Sequence, residues 1–258
     1  MAMRTPLLFL GFLTLMMSPL SSRALTLSSA DTVRVGRMIW KNECAGTVEG
    51  LVSWNRGEAF PSLGIGHFIW YPEGQRGPFD ESFPRLVALL AKRGVAVPGW
   101  VHGPAPWKDR AAMEADPRRV KELRTLLSSP RALEVQTGFL IARLEAALPT
   151  LLKAGAKEPD ALRERFRRLS ATAAGSFALI DYVNFKGEGV LPTERYRGEG
   201  WGLLQVLEGM KDGGEPVQAF ARSAAEVLRR RVRNAPPERH EERWLPGWLN
   251  RVARYPAF

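Results

Sequence analysis

The sequence predicts an α+β fold, mainly α, with a small β-wing after the first helix. Three observations carry this. Apolar residues recur at helical spacing through most of the chain, several segments open with a capping residue followed by proline, and one glycine-punctuated, β-branched stretch interrupts the pattern early. Ser28 and Asp31 have capping-box spacing, and Val35, Met38, Ile39 and Asn42 share one face of the helix that follows. That helix should end near Ala45-Gly46. From Leu51 to Trp70 the texture is that of short strands around a turn at Trp54-Asn55-Arg56-Gly57. Tyr71 to Asp80 reads as loop.

Further helices are expected from Ser82-Pro84 to Gly94, from Asp116-Pro117, and from Ser129-Pro130 to about Leu148. Others are expected at 159–169, 171–185, 201–211 and 215–233, with a short tail segment around Trp244 to Tyr255. Residues 95–110 (three prolines, two tryptophans) and the glycine-rich stretch 186–200 are expected to be connections. No internal repeat or linker breaks the chain, so residues 25–258 are read as one domain.

The chain has 258 residues, 45% hydrophobic and 25% charged, which excludes fibrous and disordered classes. Cys44 is its one cysteine, so an internal disulfide and a thiolate zinc cluster are both ruled out. His67, His102 and His240 are scattered without metal-site spacing, and no phosphate-binding or dinucleotide glycine motif occurs. No metal or cofactor is therefore expected.

Arg4, the uncharged stretch from Pro6 to Leu20 and the small residues around Ser22 and Ala24 have the order of a signal peptide over residues 1–24. The stretch is short for a membrane span, so no stable span is expected after cleavage. Removing Arg4 and Arg23 from a net charge of +10 leaves +8. An exported basic protein, secreted or periplasmic, faces anionic envelope surfaces rather than nucleic acid.

Chemistry concentrates between Asn42 and His67. Glu43 lies at the rim of the apolar stripe in the last turn of its helix, half buried beside the negative end of the helix dipole. Both effects disfavour the charged form, which suits a general acid that must keep its proton near neutral pH. The competing assignment is a surface glutamate paired with Lys41 or Arg37.

A glutamate closing the first helix, followed by a wing ending in Ser62-Leu63-Gly64-Ile65-Gly66-His67, resembles the lysozyme superfamily, specifically phage-type lysozymes. Ala178 to Gly187 is similar to that family's buried helix, with Asn184 near its end, and Gly200 to Leu207 is similar to its next helix. The resemblance covers under a third of the chain and implies a lysozyme-like domain cleaving peptidoglycan or a related N-acetylamino-sugar polymer. It implies Glu43 as the acid, with Glu49 the alternative because Glu49-Gly50-Leu51 matches the family string. It also gives Ser62 the task of holding a water.

One departure stands out. The family's aspartate falls on Arg56, so Glu58 is the nearest candidate for a second carboxylate; otherwise the resemblance implies an enzyme with one acid, like the family's wall-cleaving lytic transglycosylases. Trp54, His67, Asn184 and Trp201 are the candidate substrate contacts, Trp100 and Trp107 further stacking surfaces, and Glu188, Glu194 and Glu199 further cleft groups. A chitosanase-like hydrolase and a non-catalytic wall-binding protein are the other readings, the second kept open by Arg56. A Cys44–His67 nucleophilic pair is also conceivable.

Overall fold

The computed structural model describes residues 27–77, 79–154 and 157–258, and the expected signal peptide lies outside them. Helix α1 (Ser29–Cys44) starts where Ser28 Oγ accepts the Asp31 N–H, and it ends with Ala45 in the left-handed region at φ 53°. Its inner face, Val35, Gly36 and Ile39, packs on the long helix α5 introduced below. A Cβ at Gly36 would run into the Thr137 hydroxyl and Leu133, so glycine sets how closely these helices approach.

After a 3₁₀ turn at Glu49–Leu51 come three two-residue strands, β1 (Val52–Ser53), β2 (Ser62–Leu63) and β3 (Phe68–Ile69). They form an antiparallel sheet in that order, pairing Ser53 with Ser62 and Ser62 with Ile69. This is the expected wing. Gln136 of α5, itself inaccessible to solvent, holds it in place. Its Oε1 accepts the Ile65 N–H at 3.0 Å while its amide donates to the Leu127 and Ala132 carbonyls.

Helices α2 (Phe83–Lys92), α3 (Arg110–Glu114), α4 (Pro117–Ser128), α5 (Pro130–Lys153), α6 (Pro159–Ser170) and α7 (Ala173–Lys186) follow. A hairpin of β4 (Arg195–Tyr196) and β5 (Glu199–Gly200) leads into α8 (Leu203–Gly209), α9 (Pro216–Asn234) and α10 (Leu245–Ala253). A 3₁₀ turn at Tyr255–Ala257 closes the chain. Asp116, Ser129 and Thr172 cap their helices through side chains, as composition alone suggests. Helix α7 is buried on every side from Gly175 to Tyr182, and the other long helices wrap it. Among the described residues no helix is long and apolar enough to cross a membrane.

The structure departs from expectation at four places. Helix α5 runs to Lys153, through Pro149, because its apolar face continues to Leu151. A short helix, α3, begins where the expected 95–110 connection ends and runs to Glu114, capped by Asp109. The glycine-rich stretch contains the β4–β5 hairpin. Ser82 does not cap α2 through its side chain; its Oγ accepts the Ile69 N–H instead, tying helix to wing.

The loop tryptophans are also not free platforms. Trp70, Trp100 and Trp107 gather with Phe83 at ring separations of 4.8–6.1 Å, and their indole N–H groups donate to Gly103 O, Glu122 and Asp116. Only the folded chain could show that three distant tryptophans share one cluster.

Glycine is required at two wing positions. Gly64 has φ 67° and its Cβ would strike the Gln136 carbonyl, and a Cβ on Gly66 would lie 2.8 Å from Leu140 and Phe68 carbons. Gly57 has φ 88° but open space around it. Gly64→Ala is expected to cost about 2–4 kcal/mol and Gly66→Ala about 1–3 kcal/mol, against about 1 kcal/mol for Gly57→Ala. Urea unfolding of the three variants checks this ranking, and equal losses would contradict it.

Candidate functional site

Glu43, on the last turn of α1, borders a cleft of about 350 Å³ where the wing, the start of α2 and the end of α7 meet. Gly66 and His67 supply one wall, Ser82 and Asp80 another, and Arg143, Val183 and Asn184 the third. The Glu43 side chain is 14% exposed. One carboxylate oxygen pairs with Arg251 Nη2, and the other lies 3.6 Å from His67 Nε2. The same His67 nitrogen is 3.3 Å from the Glu43 carbonyl oxygen. His67 holds this place with φ 48°, a strained setting for a non-glycine residue, maintained by the tight turn from Gly64.

Behind Glu43 lies a buried network. Asp181, inaccessible in the middle of α7, accepts from Arg251 Nε and Nη2 at 2.8 Å each, from Asn42 Nδ2 at 2.9 Å and from the Tyr255 hydroxyl at 2.7 Å. Burial works against the charge on Arg251, but the hydrogen bonds and charge of Asp181, then of Glu43, outweigh it and hold the guanidinium above its ordinary range. Burial, then the charge of Asp181, likewise raises the Tyr255 phenol well above its usual range. Phe185 packs 4.4 Å from the guanidinium carbon. The cation next to Glu43 thus arrives from α10, some two hundred residues away in sequence.

The cleft brings together three of the residues singled out from sequence, Glu43, His67 and Asn184. Glu188 borders a narrow adjoining cavity that shares Arg143, Val183 and Asn184 with the cleft, and the others lie elsewhere. Glu49 is exposed on the 3₁₀ turn beyond the helix, and its carbonyl accepts from Arg124. Glu58 and Trp54 border a separate hollow of about 360 Å³ with Arg56 and Lys108, where Trp54 Nε1 donates to the Glu58 carbonyl and Asn55 to its carboxylate. Ser62 is buried in the middle strand and does not line the cleft. Trp201 is 7% exposed, packed on Tyr196 and covered by Arg231 at 4.0 Å. Glu194 accepts the Gly189 and Leu191 N–H groups within its own loop, and Glu199 pairs with Arg230.

Cys44 does not form the conceived nucleophilic pair. Its thiol is buried, directed to the Gly64 carbonyl, and pushed up to about 12 by burial and then by the charge of Glu43.

Sequence reasoning missed Asp80, Ser82, Arg143, Asp181 and Arg251. Asp181 carried a usable signal, a lone carboxylate inside an otherwise apolar helix, which demands a buried partner. The rest carried none, since arginines on helix surfaces and an aspartate and a serine at the start of a helix are common along the chain.

Lys186, closing α7, sits 3.3 Å over the Trp248 ring and 4.0 Å from Phe185. Burial, then the charge of Arg231, pushes its amine down to about 7, with Glu241 opposing. The unfolded chain keeps that proton up to about 10.5, so stability should rise with pH between roughly 7 and 10.5. Lys186→Met should flatten that rise, as thermal melts across the range will read. Asp181→Ala leaves Arg251 buried with half its partners gone and should cost about 3–5 kcal/mol. Asp181→Leu combined with Arg251→Met should recover part of that loss in chemical unfolding.

Comparison of the chain with protein-family models, with curated proteins and with solved structures finds no match.

Proposed function

We propose that this chain is a lysozyme-like glycosidase, secreted or periplasmic, that cleaves peptidoglycan or a related N-acetylamino-sugar polymer with Glu43 as general acid. The observation that carries the reading is the half-enclosed Glu43 carboxyl at the cleft, flanked by His67 of the wing and by Asn184 of the buried-helix stretch, both from segments that resemble the family. Glu43 protonates the glycosidic oxygen. Arg251 then stabilises the carboxylate left once the proton is given up, while Asp181 keeps the guanidinium in place. His67 orients the acid through its side chain and backbone.

The second carboxylate among the cleft residues is Asp80, from the loop before α2. In this reading Asp80, rather than Glu58, supports the water or the oxocarbenium-like state. Glu58 serves the separate hollow beside Trp54. A non-catalytic wall-binding protein is the competing reading, favoured by Arg56 at the position of the family's aspartate.

Digestion of purified peptidoglycan, with products separated by mass, tests this directly. Glu43→Gln should lower turnover about 10²–10⁴-fold. Its stability should move by no more than about 1–2 kcal/mol, because Asp181 still neutralises Arg251. Asp80→Asn should lose more activity than Glu58→Gln, and Glu49→Gln should lose little. Full activity in Glu43→Gln would remove the mechanism, and wild-type binding without any product would replace it with the wall-binding reading.

A further inference from the structure

A second groove, of about 240 Å³, opens between the last turn of α1 and one face of α10. Lys41 and Asn42 form one wall, and Gly247, Asn250, Arg251 and Arg254 recur along the other at the spacing of a single helix face. No carboxylate is among the described residues that line it. Arg251 Nε and Nη2 are occupied by Asp181 and Glu43, whereas Nη1 makes no hydrogen bond and is not among the buried unpartnered atoms, so solvent reaches it. The side chains of Lys41, Asn250 and Arg254 are exposed and make no hydrogen bond or ion pair among the described residues. Lys41, Arg251 and Arg254 bring three formal positive charges against the two of opposite sign on Asp181 and Glu43, an excess of one. The carbonyl end of α1 opposes an anion with only about half a charge, which this excess outweighs. A Cβ at Gly247 would meet no atom within 4 Å, so the space that a side chain would take there is groove.

We propose that this groove is an oxyanion site that binds a phosphate group, either inorganic or as the headgroup of an anionic lipid. A phosphate presents acceptor oxygens in several directions, which suits donors arriving from both walls: an ammonium from α1, and two guanidinium groups with an amide from α10. A planar carboxylate, with two oxygens, would leave part of that donor set unpaired. The site stands apart from the glycosidase reading, since none of its unpartnered donors lines the cleft of Glu43.

Calorimetric titration of inorganic phosphate into the full chain, with ionic strength held constant by chloride, should show one saturable site with a Kd of about 0.1–1 mM, the range open to so small an ion. Lys41→Gln and Arg254→Gln should each weaken binding about 5- to 20-fold. Lys92→Gln, which removes the same charge from an exposed position on α2, should leave the affinity as it is. Gly247→Leu keeps every cation but fills the groove, and should abolish saturable binding. Melting curves should show that variant folded, because leucine favours a helix over glycine. Flotation with vesicles of phosphatidylglycerol or of phosphatidylcholine separates the two sources. Retention on phosphatidylglycerol alone, removed by Gly247→Leu, supports the site with a lipid headgroup in it, and phosphate binding without such retention supports it with the free ion. The proposal is overturned if phosphate heats do not saturate and no vesicle retention depends on Gly247. It is equally overturned by an undiminished affinity in Arg254→Gln and Gly247→Leu, or by a loss in Lys92→Gln equal to that in Arg254→Gln, which would mark diffuse surface charge.

Discussion

Everything around the cleft depends on one buried ion pair, Asp181 with Arg251. A carboxylate without solvent access in the central helix is tolerable only if its lone pairs are filled, and here four donor contacts from α1, α10 and the C-terminal turn fill them. The same arginine reaches Glu43. The pair thus fixes where the last turn of α1 sits against α7, and it sets the charge environment of the proposed acid. It also makes the C-terminal segment part of the site. An arginine at the far end of the chain and a glutamate in its first helix become one electrostatic unit.

The opposite wall is held by a different device. The wing's strands have two residues each, too few to stand by themselves. They are held because Gln136 satisfies the Ile65 N–H from the neighbouring helix, Ser82 satisfies that of Ile69, and glycines at 64 and 66 allow the approach. His67 is the outcome of that geometry. Its left-handed backbone follows from the turn closing on Gly64, and from there its ring reaches both the side chain and the carbonyl of Glu43.

The tryptophans singled out above serve as support rather than as site. Trp70, Trp100 and Trp107 make a packed cluster under α2, and Trp201 lies beneath Arg231. Each indole N–H of the cluster has a partner. These rings secure the connections that flank the cleft. Its lining combines the polar and charged groups of Glu43, Asp80, His67, Ser82, Arg143 and Asn184 with apolar surface from Ile69, Phe79 and Val183.

By itself the sequence determined the α1 start and stop, the wing, the order of the main helices and the places of Glu43 at the end of α1 and His67 at the end of the wing turn. These are local matters: caps, proline positions, apolar spacing and glycine clusters act over a few residues. The tertiary structure decided which charged groups meet. Arg251, Arg143 and Asp80 look like any other surface residues until the helices pack, and Glu58 and Ser62 look close to Glu43 until the wing folds them away from the cleft. Short-range propensity is written in neighbouring residues, whereas the pairing of charges depends on distances that only a packed core fixes. That is why the proposed acid was legible in the sequence and its cation was not.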